Sequence, residues 1–462
     1  MDHPFTPLPA GGHATTTRIR SLLLLVVSTT ACGGAAPPAG PGAPPALGAP
    51  SPVRHPYVFD ADDGAQGTEL WRTDGTTAGT ALLKDFRAGA TSTYFGQYDM
   101  APPWLLTAGH LGYFFTLDTR RELWRTDGSE AGTVRVRDFG AYVNPSAPGG
   151  EYPHHRTTAG AIFFFAIWDA EHGSELWRSD GTEAGTRLVD DLAVGRASSR
   201  FDYVVGTARQ VFVTEGRRLW RCDERERLTL VASFPESILR IHAFGDGALL
   251  ASGPDVYRTD GTPQGTVRIA RFDATHVTTV IASAERGFFL TPRPNSTIVD
   301  VWATDGTMAG TVRGPWFPRG PGSMVVVGRR LFVGSCYNFA PPCEVWSTDG
   351  TLAGTTQVLS AVDAYTGGLV AAGSHVFIWV RSGDEASAPW AELWAADGSG
   401  HGARRLLRTT VIDNNSLRDV EGVLFFRAGL PSQCPPLACN LDLWRSDGTE
   451  EGTVMIRAFP PR

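Results

Sequence analysis

Three groups of residues in this sequence have the types and spacing that chemistry requires. In Asp60-Ala61-Asp62-Asp63-Gly64 the carboxylates stand two apart, and oxygen ligands at that spacing can converge on one side of a turn. Asp60, Asp62 and Asp63 are therefore a candidate calcium loop, beside the plainer reading of a solvated turn. His154-His155 with Glu151 is the densest single-copy polar cluster. Histidines serve as metal ligands or bases, but Pro145, Pro148, Gly149, Gly150 and Pro153 place this pair in a loop, where exposed histidines are ordinary. Asp99, Glu151 and Asp169 are single-copy carboxylates in loops, and a glycan-active hydrolase or lyase needs two such groups a few ångströms apart. Sequence does not say whether they converge. There is no His-Glu-x-x-His, no Gly-x-Ser-x-Gly, no phosphate-binding glycine loop and no dinucleotide fingerprint, so no catalytic residue and no cofactor is assigned and a non-catalytic protein is the leading expectation.

The cysteines form local pairs. Cys336 and Cys343 flank Tyr337 to Pro342, and Cys434 and Cys439 flank Pro435 to Ala438, at matching places in two repeats. This predicts two disulfides pinning long connections, a device of oxidising compartments. Neither pair has the Cys-x-x-Cys spacing of a zinc site. Cys222 is left over and reads as a buried free thiol.

These residues must be held by something, and the sequence repeats. Glu69-Leu70-Trp71-Arg72-Thr73-Asp74-Gly75-Thr76 returns to the C-terminus with its aromatic marker at Trp71, Trp124, Trp177, Trp220, Tyr257, Trp302, Trp346, Trp394 and Trp444, nine units at a mean spacing of about 47 residues. Eight units keep Asp-Gly, at Asp74-Gly75, Asp127-Gly128, Asp180-Gly181, Asp260, Asp305, Asp349, Asp397 and Asp447; unit four has Asp223-Glu224. Asp accepts hydrogen bonds from the amides just after it and Gly tolerates positive φ, so each copy reads as a chain reversal between two strands. An aspartate that recurs in every unit is a turn residue, since a catalytic group is needed once. Upstream of most copies lie continuous apolar runs such as Tyr113-Phe114-Phe115 and Ile162-Phe163-Phe164-Phe165. A strand with apolar residues on both faces must be covered on both. A weaker run precedes several of these, for about four strands per unit. The expected fold is all-β: a β-propeller of nine four-stranded blades, with eight as the fallback and unit four the one expected to be incomplete. The acidic residue two before eight of the markers (Glu69, Glu122, Glu175, Asp255, Asp300, Glu344, Glu392, Asp442) is expected to pair with an arginine of a neighbouring blade.

The motif resembles the ELWxxDGT repeat family of secreted and cell-surface bacterial proteins, over nearly everything from residue 53 onward. It is closest in units one, two, three and nine and degrades in units four and five. The resemblance implies architecture and carries no established activity.

Residues 1–32 read as an export segment: Arg18 and Arg20, then Leu22 to Val27, then Ser28-Thr29-Thr30-Ala31-Cys32. The apolar run is too short to span a bilayer. The pattern resembles a bacterial lipoprotein signal, which implies lipidation at Cys32. Residues 33–52 contain eighteen Gly, Ala or Pro out of twenty and read as a tether, and residues 53–462 as the propeller. With 41 basic against 48 acidic residues, net charge −7 and no basic run, nucleic acid is not an expected partner. The expectation is a monomeric scaffold, exported to the cell envelope as an outer-membrane lipoprotein or surface protein. It would meet the membrane through its lipid alone and bind an unknown protein or polysaccharide.

Overall fold

The computed structural model describes residues 51–460 except 90, 94, 96–104, 118, 142–153, 223–226, 273–275, 319–320, 338–339, 362–363, 383–389 and 430–440. Cys32, Asp99, Glu151, Cys434 and Cys439 lie outside the described residues, as do the proposed export segment and most of the tether. No helix among the described residues is long and apolar enough to cross a membrane.

Every sheet is built from strands consecutive in sequence and antiparallel, and there are nine sheets. Blade 2 is representative: Leu106–Ala108, Leu111–Thr116, Arg120–Thr126 and Val134–Ala141, in that spatial order. The chain is a nine-bladed β-propeller. The first strand of each four-stranded blade is innermost and neighbours the first strand of the next blade around the axis.

The Leu-Trp dipeptide explains the packing. Successive residues of a strand face opposite sides, so the two side chains enter different seams. Leu70 packs into the seam with blade 2 and Trp71 into the seam with blade 9; Leu123 meets blade 3 and Trp124 blade 1; Leu443 meets blade 1 and Trp444 blade 8. The same holds in the other six blades, so nine apolar clusters fill nine seams. In each blade the pairing of the third and fourth strands shifts register at or next to the marker, a bulge that re-aims the aromatic ring.

The ring closes by side-chain packing and polar bonds between blades 1 and 9. Phe59, Ala61 and Trp71 of blade 1 meet Phe425, Leu443 and Ile456 of blade 9. Among the described residues no strand is shared between blade 1 and blade 9. Polar bonds join them: Thr77 Oγ1 donates to the Ile456 carbonyl at 2.9 Å, and the Arg457 guanidinium donates to the Thr80 carbonyl at 3.1 Å.

Two expectations need correction. Blade 4 has its four strands, Tyr203–Gly206, Val211–Glu215, Arg218–Cys222 and Leu228–Ser233, despite losing Asp-Gly, because its apolar runs are intact. Blade 1, whose sequence has no clear strand before Tyr57-Val58-Phe59, has three strands among the described residues, Tyr57–Asp62, Thr68–Thr73 and Ala81–Lys84. The acidic residues, moreover, pair inside their own blades. Glu122 binds Arg135, Asp255 binds Arg268 and Arg271, Asp300 binds Arg293 and Arg313, and Glu392 binds Arg405 and Arg408. Glu344 accepts from Gln357, while Glu69, Glu175 and Asp442 accept backbone amides from the connection leaving their own fourth strand. The third strand is flanked by the fourth of the same sheet, so the nearest donors belong to that sheet. Arginines elsewhere reach across, among them the one after the marker: Arg72 donates to the Gly128 carbonyl at 2.8 Å and Arg445 to the Gly75 carbonyl at 3.3 Å.

Candidate functional site

The connection between third and fourth strands is wider than a two-residue Asp-Gly turn. In blade 1 it runs from Asp74 to Thr80. Asp74 Oδ1 accepts from the Thr76 amide (2.8 Å) and hydroxyl (2.7 Å), the Gly79 amide donates to Thr76 Oγ1 (3.0 Å), and Thr80 Oγ1 donates to the Thr76 carbonyl (2.6 Å). Gly75 has φ 91°, and a Cβ on Gly79 would lie 2.1 Å from the Asp74 carboxylate, so both glycines are required. The network recurs at Asp127, Asp180, Asp260, Asp305, Asp349 and Asp447; Asp397 keeps only its bonds from Ser399. Hydrogen bonds from the Ser or Thr two residues on hold Asp127, Asp180, Asp260 and Asp305 below the usual carboxylate range. All these carboxylates are spent on their own turns.

Antiparallel order puts these connections on one axial face together with the short hairpins between first and second strands. Most connections on that face are two, four or seven residues long. The opposite face carries the connections between second and third strands, two residues at 216–217 but twelve at 430–441, and those between blades, one residue at 410 but twenty-one at 85–105. One face is uniform and the other uneven. Residues 51–56 lie on the uniform face: the Val53 amide donates to the Asp74 carbonyl, Arg445 donates to the Ser51 carbonyl, and the Arg54 amide and His55 ring meet Glu421 in the inner hairpin of blade 9.

Two depressions follow from this geometry. A shallow one of about 550 Å³ at the uniform mouth of the axis is lined by small residues of blades 3 to 6, among them Thr158, Gly206, His242 and Ser283. The second, about 290 Å³, opens on the uneven face in the seam of blades 1 and 2 and is lined by Lys84, Asp85, Arg87, Arg120, Glu122 and Trp124, with Phe86, Thr93, Thr116 and Thr119. The Lys84 ammonium stands 5.9 Å from the centres of both the Phe86 and Trp124 rings. Glu122 is held by the Arg135 guanidinium and the Thr116 hydroxyl. Arg120 is held by Asp138, whose hydrogen bond raises the Arg120 pKa.

Among the described residues the sequence candidates fall in separate places. Asp62 Oδ1 accepts the Gly64 amide and Asp63 Oδ1 the amides of Ala65 and Gln66, while Asp60 lies 3.6 Å from the Arg427 guanidinium across the seam with blade 9. Among the described residues no group of three His, Cys, Asp or Glu side chains could hold a metal. Asp169 accepts from the amides of Glu171 and His172 and from the His172 ring, and that last bond raises the His172 pKa. It caps its own turn. His155 sits at φ 50° in the innermost strand of blade 3, where the register shifts between His154 and Thr157, so the pair is on a strand rather than in a loop. Cys336 and Cys343 are likewise ladder partners inside two strands, Arg330–Tyr337 and Ala340–Thr348, that continue through the stretch expected to be a loop. Cys222 is buried and outside any disulfide. Sequence reasoning passed over Lys84, although a plain signal marked it: it is the one lysine among 41 basic residues.

No family model matches the chain, and no curated protein matches it. Among solved structures, that of a eukaryotic initiation factor aligns with a TM-score of 0.51 at 12% identity, covering 89% of this chain and 95% of the other. A computationally designed protein, Ika8, aligns at 0.42 and 11% identity over 78% of this chain and 97% of its own. The tricorn protease aligns at 0.37 and 11% identity, with 89% of this chain covering 49% of the protease chain, so the chain spans about half that length. At such identities the likeness concerns fold alone, and what this chain shares with the initiation factor is the radial arrangement of antiparallel sheets.

Proposed function

We propose that the chain is a non-catalytic interaction scaffold of the ELWxxDGT repeat type, exported and lipidated at Cys32, that offers its uneven face to a protein or polysaccharide. The observation that carries the reading is the division of labour between faces. The repeat motif is spent on the uniform face, where each carboxylate serves its own turn, and the irregular connections gather on the other, where recognition is ordinarily carried. Disulfides Cys336–Cys343 and Cys434–Cys439 would stiffen two of the uneven face's connections; the first pair is supported by direct opposition in the ladder.

The test is the full chain and its Cys32→Ser variant in an envelope-bearing bacterium. The parent should sediment with membranes, carry an acyl label and lose its uneven-face connections to protease added to intact cells; Cys32→Ser should appear in the soluble fraction without label. A Cys32→Ser protein that still sediments with membranes would overturn the lipid anchor, and a parent that resists protease until cells are broken would overturn surface display.

A further inference from the structure

The seam of blades 1 and 2 differs from its two neighbours in the fate of one cation. In blade 2, Arg137 lies over the Trp177 ring at 4.7 Å and donates to the Thr186 carbonyl of blade 3; in blade 9, Arg457 lies over the Trp71 ring at 4.4 Å and donates to the Thr80 carbonyl of blade 1. Each arginine stands opposite the leucine before its blade's marker, at the pairs Leu123↔Arg137 and Leu443↔Arg457. The pair Leu70↔Lys84 puts the chain's one lysine at that position in blade 1. Lys84 keeps the aromatic contact, to Phe86 and Trp124, but among the described residues its ammonium has no hydrogen-bond or ion-pair partner. An arginine fork reaches the neighbouring carbonyl while lying flat on the ring; an ammonium on its four-carbon stem is a point charge with three donors to place. Those donors adjoin the 290 Å³ cavity.

Two of the other charged groups in the lining already have ion-pair partners. Arg120 is engaged by Asp138, and Glu122 by Arg135, Thr116 and the Trp124 indole. Asp85 accepts the Arg87 amide. The Lys84 ammonium, its three donors unplaced among the described residues, therefore sits beside carboxylates, threonine hydroxyls and an indole, with the Arg87 guanidinium as a second cation in the lining. This chemistry suits a ligand with one carboxylate and several hydroxyls. The volume falls at the small end of ligand cavities, about 300 Å³, and is the size for a single residue of a larger chain.

We propose that this cleft binds a hexuronate residue of an acidic polysaccharide, with the Lys84 ammonium taking the sugar carboxylate and Asp85, Glu122 and the threonines taking ring hydroxyls. The proposal deepens the scaffold reading and rests on it for the polysaccharide partner.

A single lysine allows a direct test. In the full chain, acetylation by an N-hydroxysuccinimide ester, followed by peptide mass spectrometry, reports Lys84 alone among side-chain amines. Trigalacturonate at ten times its Kd should slow that acetylation about tenfold by simple occupancy; maltotriose and inorganic phosphate should not. Lys84→Gln should weaken trigalacturonate binding by calorimetry at least about tenfold, the loss expected for a hydrogen bond to a charged group. Lys84→Arg keeps the charge but should also weaken binding, because the guanidinium would be drawn to the Thr133 carbonyl as its counterparts are to Thr186 and Thr80. Protection by maltotriose as strong as that by trigalacturonate would overturn the anion assignment. Equal protection by phosphate would reduce the cleft to a general oxyanion site and overturn the sugar. Acidic polysaccharide binding that survives Lys84→Gln unchanged would overturn this cleft while leaving the scaffold reading in place.

Discussion

Blade 3 offers a way to isolate what the repeated turn contributes. A methyl placed on Gly185 would lie 2.1 Å from both carboxylate oxygens of Asp180, so Gly185→Ala must drive that carboxylate off its turn. Asp180 then loses the Thr182 amide at 2.9 Å and the Thr182 hydroxyl at 2.7 Å. Two hydrogen bonds to a charged acceptor, discounted for exposure of the turn, amount to about 2–3 kcal/mol. Asp180→Ala removes the same two bonds and should cost about as much. In the double variant the new methyl meets no carboxylate. Gly185→Ala added to Asp180→Ala should therefore be neutral or stabilising by up to about 1 kcal/mol, since alanine restricts the unfolded chain. The coupling is thus about 2–3 kcal/mol. Urea unfolding followed by tryptophan fluorescence measures all four corners. Were Gly185→Ala to cost as much in the Asp180→Ala background as in the parent, the glycine would be needed for something other than the carboxylate, and the reading of the repeat as a carboxylate-capped turn would fail.

Acid should weaken the ring through the same groups. Asp127, Asp180, Asp260 and Asp305 titrate below their unfolded values, so their stabilisation is complete above the usual carboxylate range and is lost as pH falls through their folded values. Glu175 and Asp442 are raised by burial and act in the opposite sense. With the lowered groups in the majority, the thermal midpoint should drop below about pH 4, and a midpoint that climbs there would contradict the assignment. Buried Asp442 accepts the Phe459 amide through Oδ1 while its Oδ2 has no partner among the described residues, so Asp442→Asn should stabilise the protein at pH 7 and lose that advantage in acid; equal stability at both pH values would speak against it. Trp177, 3% exposed in the seam of blades 2 and 3, should cost about 3–5 kcal/mol as Ala in urea unfolding, and a loss under about 1 kcal/mol would mean the seam is loosely packed.

How much of this was legible in the sequence follows from the range of the interactions involved. Leu-Trp and Asp-Gly-Thr act within one strand or one turn, so their recurrence announced both the blades and their number. Blade 4 kept its four strands because the runs at Val204 and Val211 to Val213 are buried whatever closes the last hairpin. The partners of Glu122 and Asp300 were misassigned because the choice between one's own fourth strand and the neighbouring blade depends on the stagger of sheets, which spacing does not encode. Asp60, Asp62 and Asp63 were singled out by type and spacing; the amides of Gly64, Ala65 and Gln66 and the Arg427 guanidinium that meet them lie in turn and seam geometry that spacing does not encode. Lys84 was hidden for the converse reason: a lone substitution in a degenerate fourth strand has no motif, and its meaning appears only beside Arg137 and Arg457.

A ring in which every blade is one unbroken stretch of chain, and whose last seam is packed like the others, has no privileged starting point. Circular permutants that join the present ends and open the chain between other blades should fold to the same ring, with the cut at residue 410 between blades 8 and 9 the shortest such connection. Duplication or loss of a whole unit could likewise pass without any described strand changing partners.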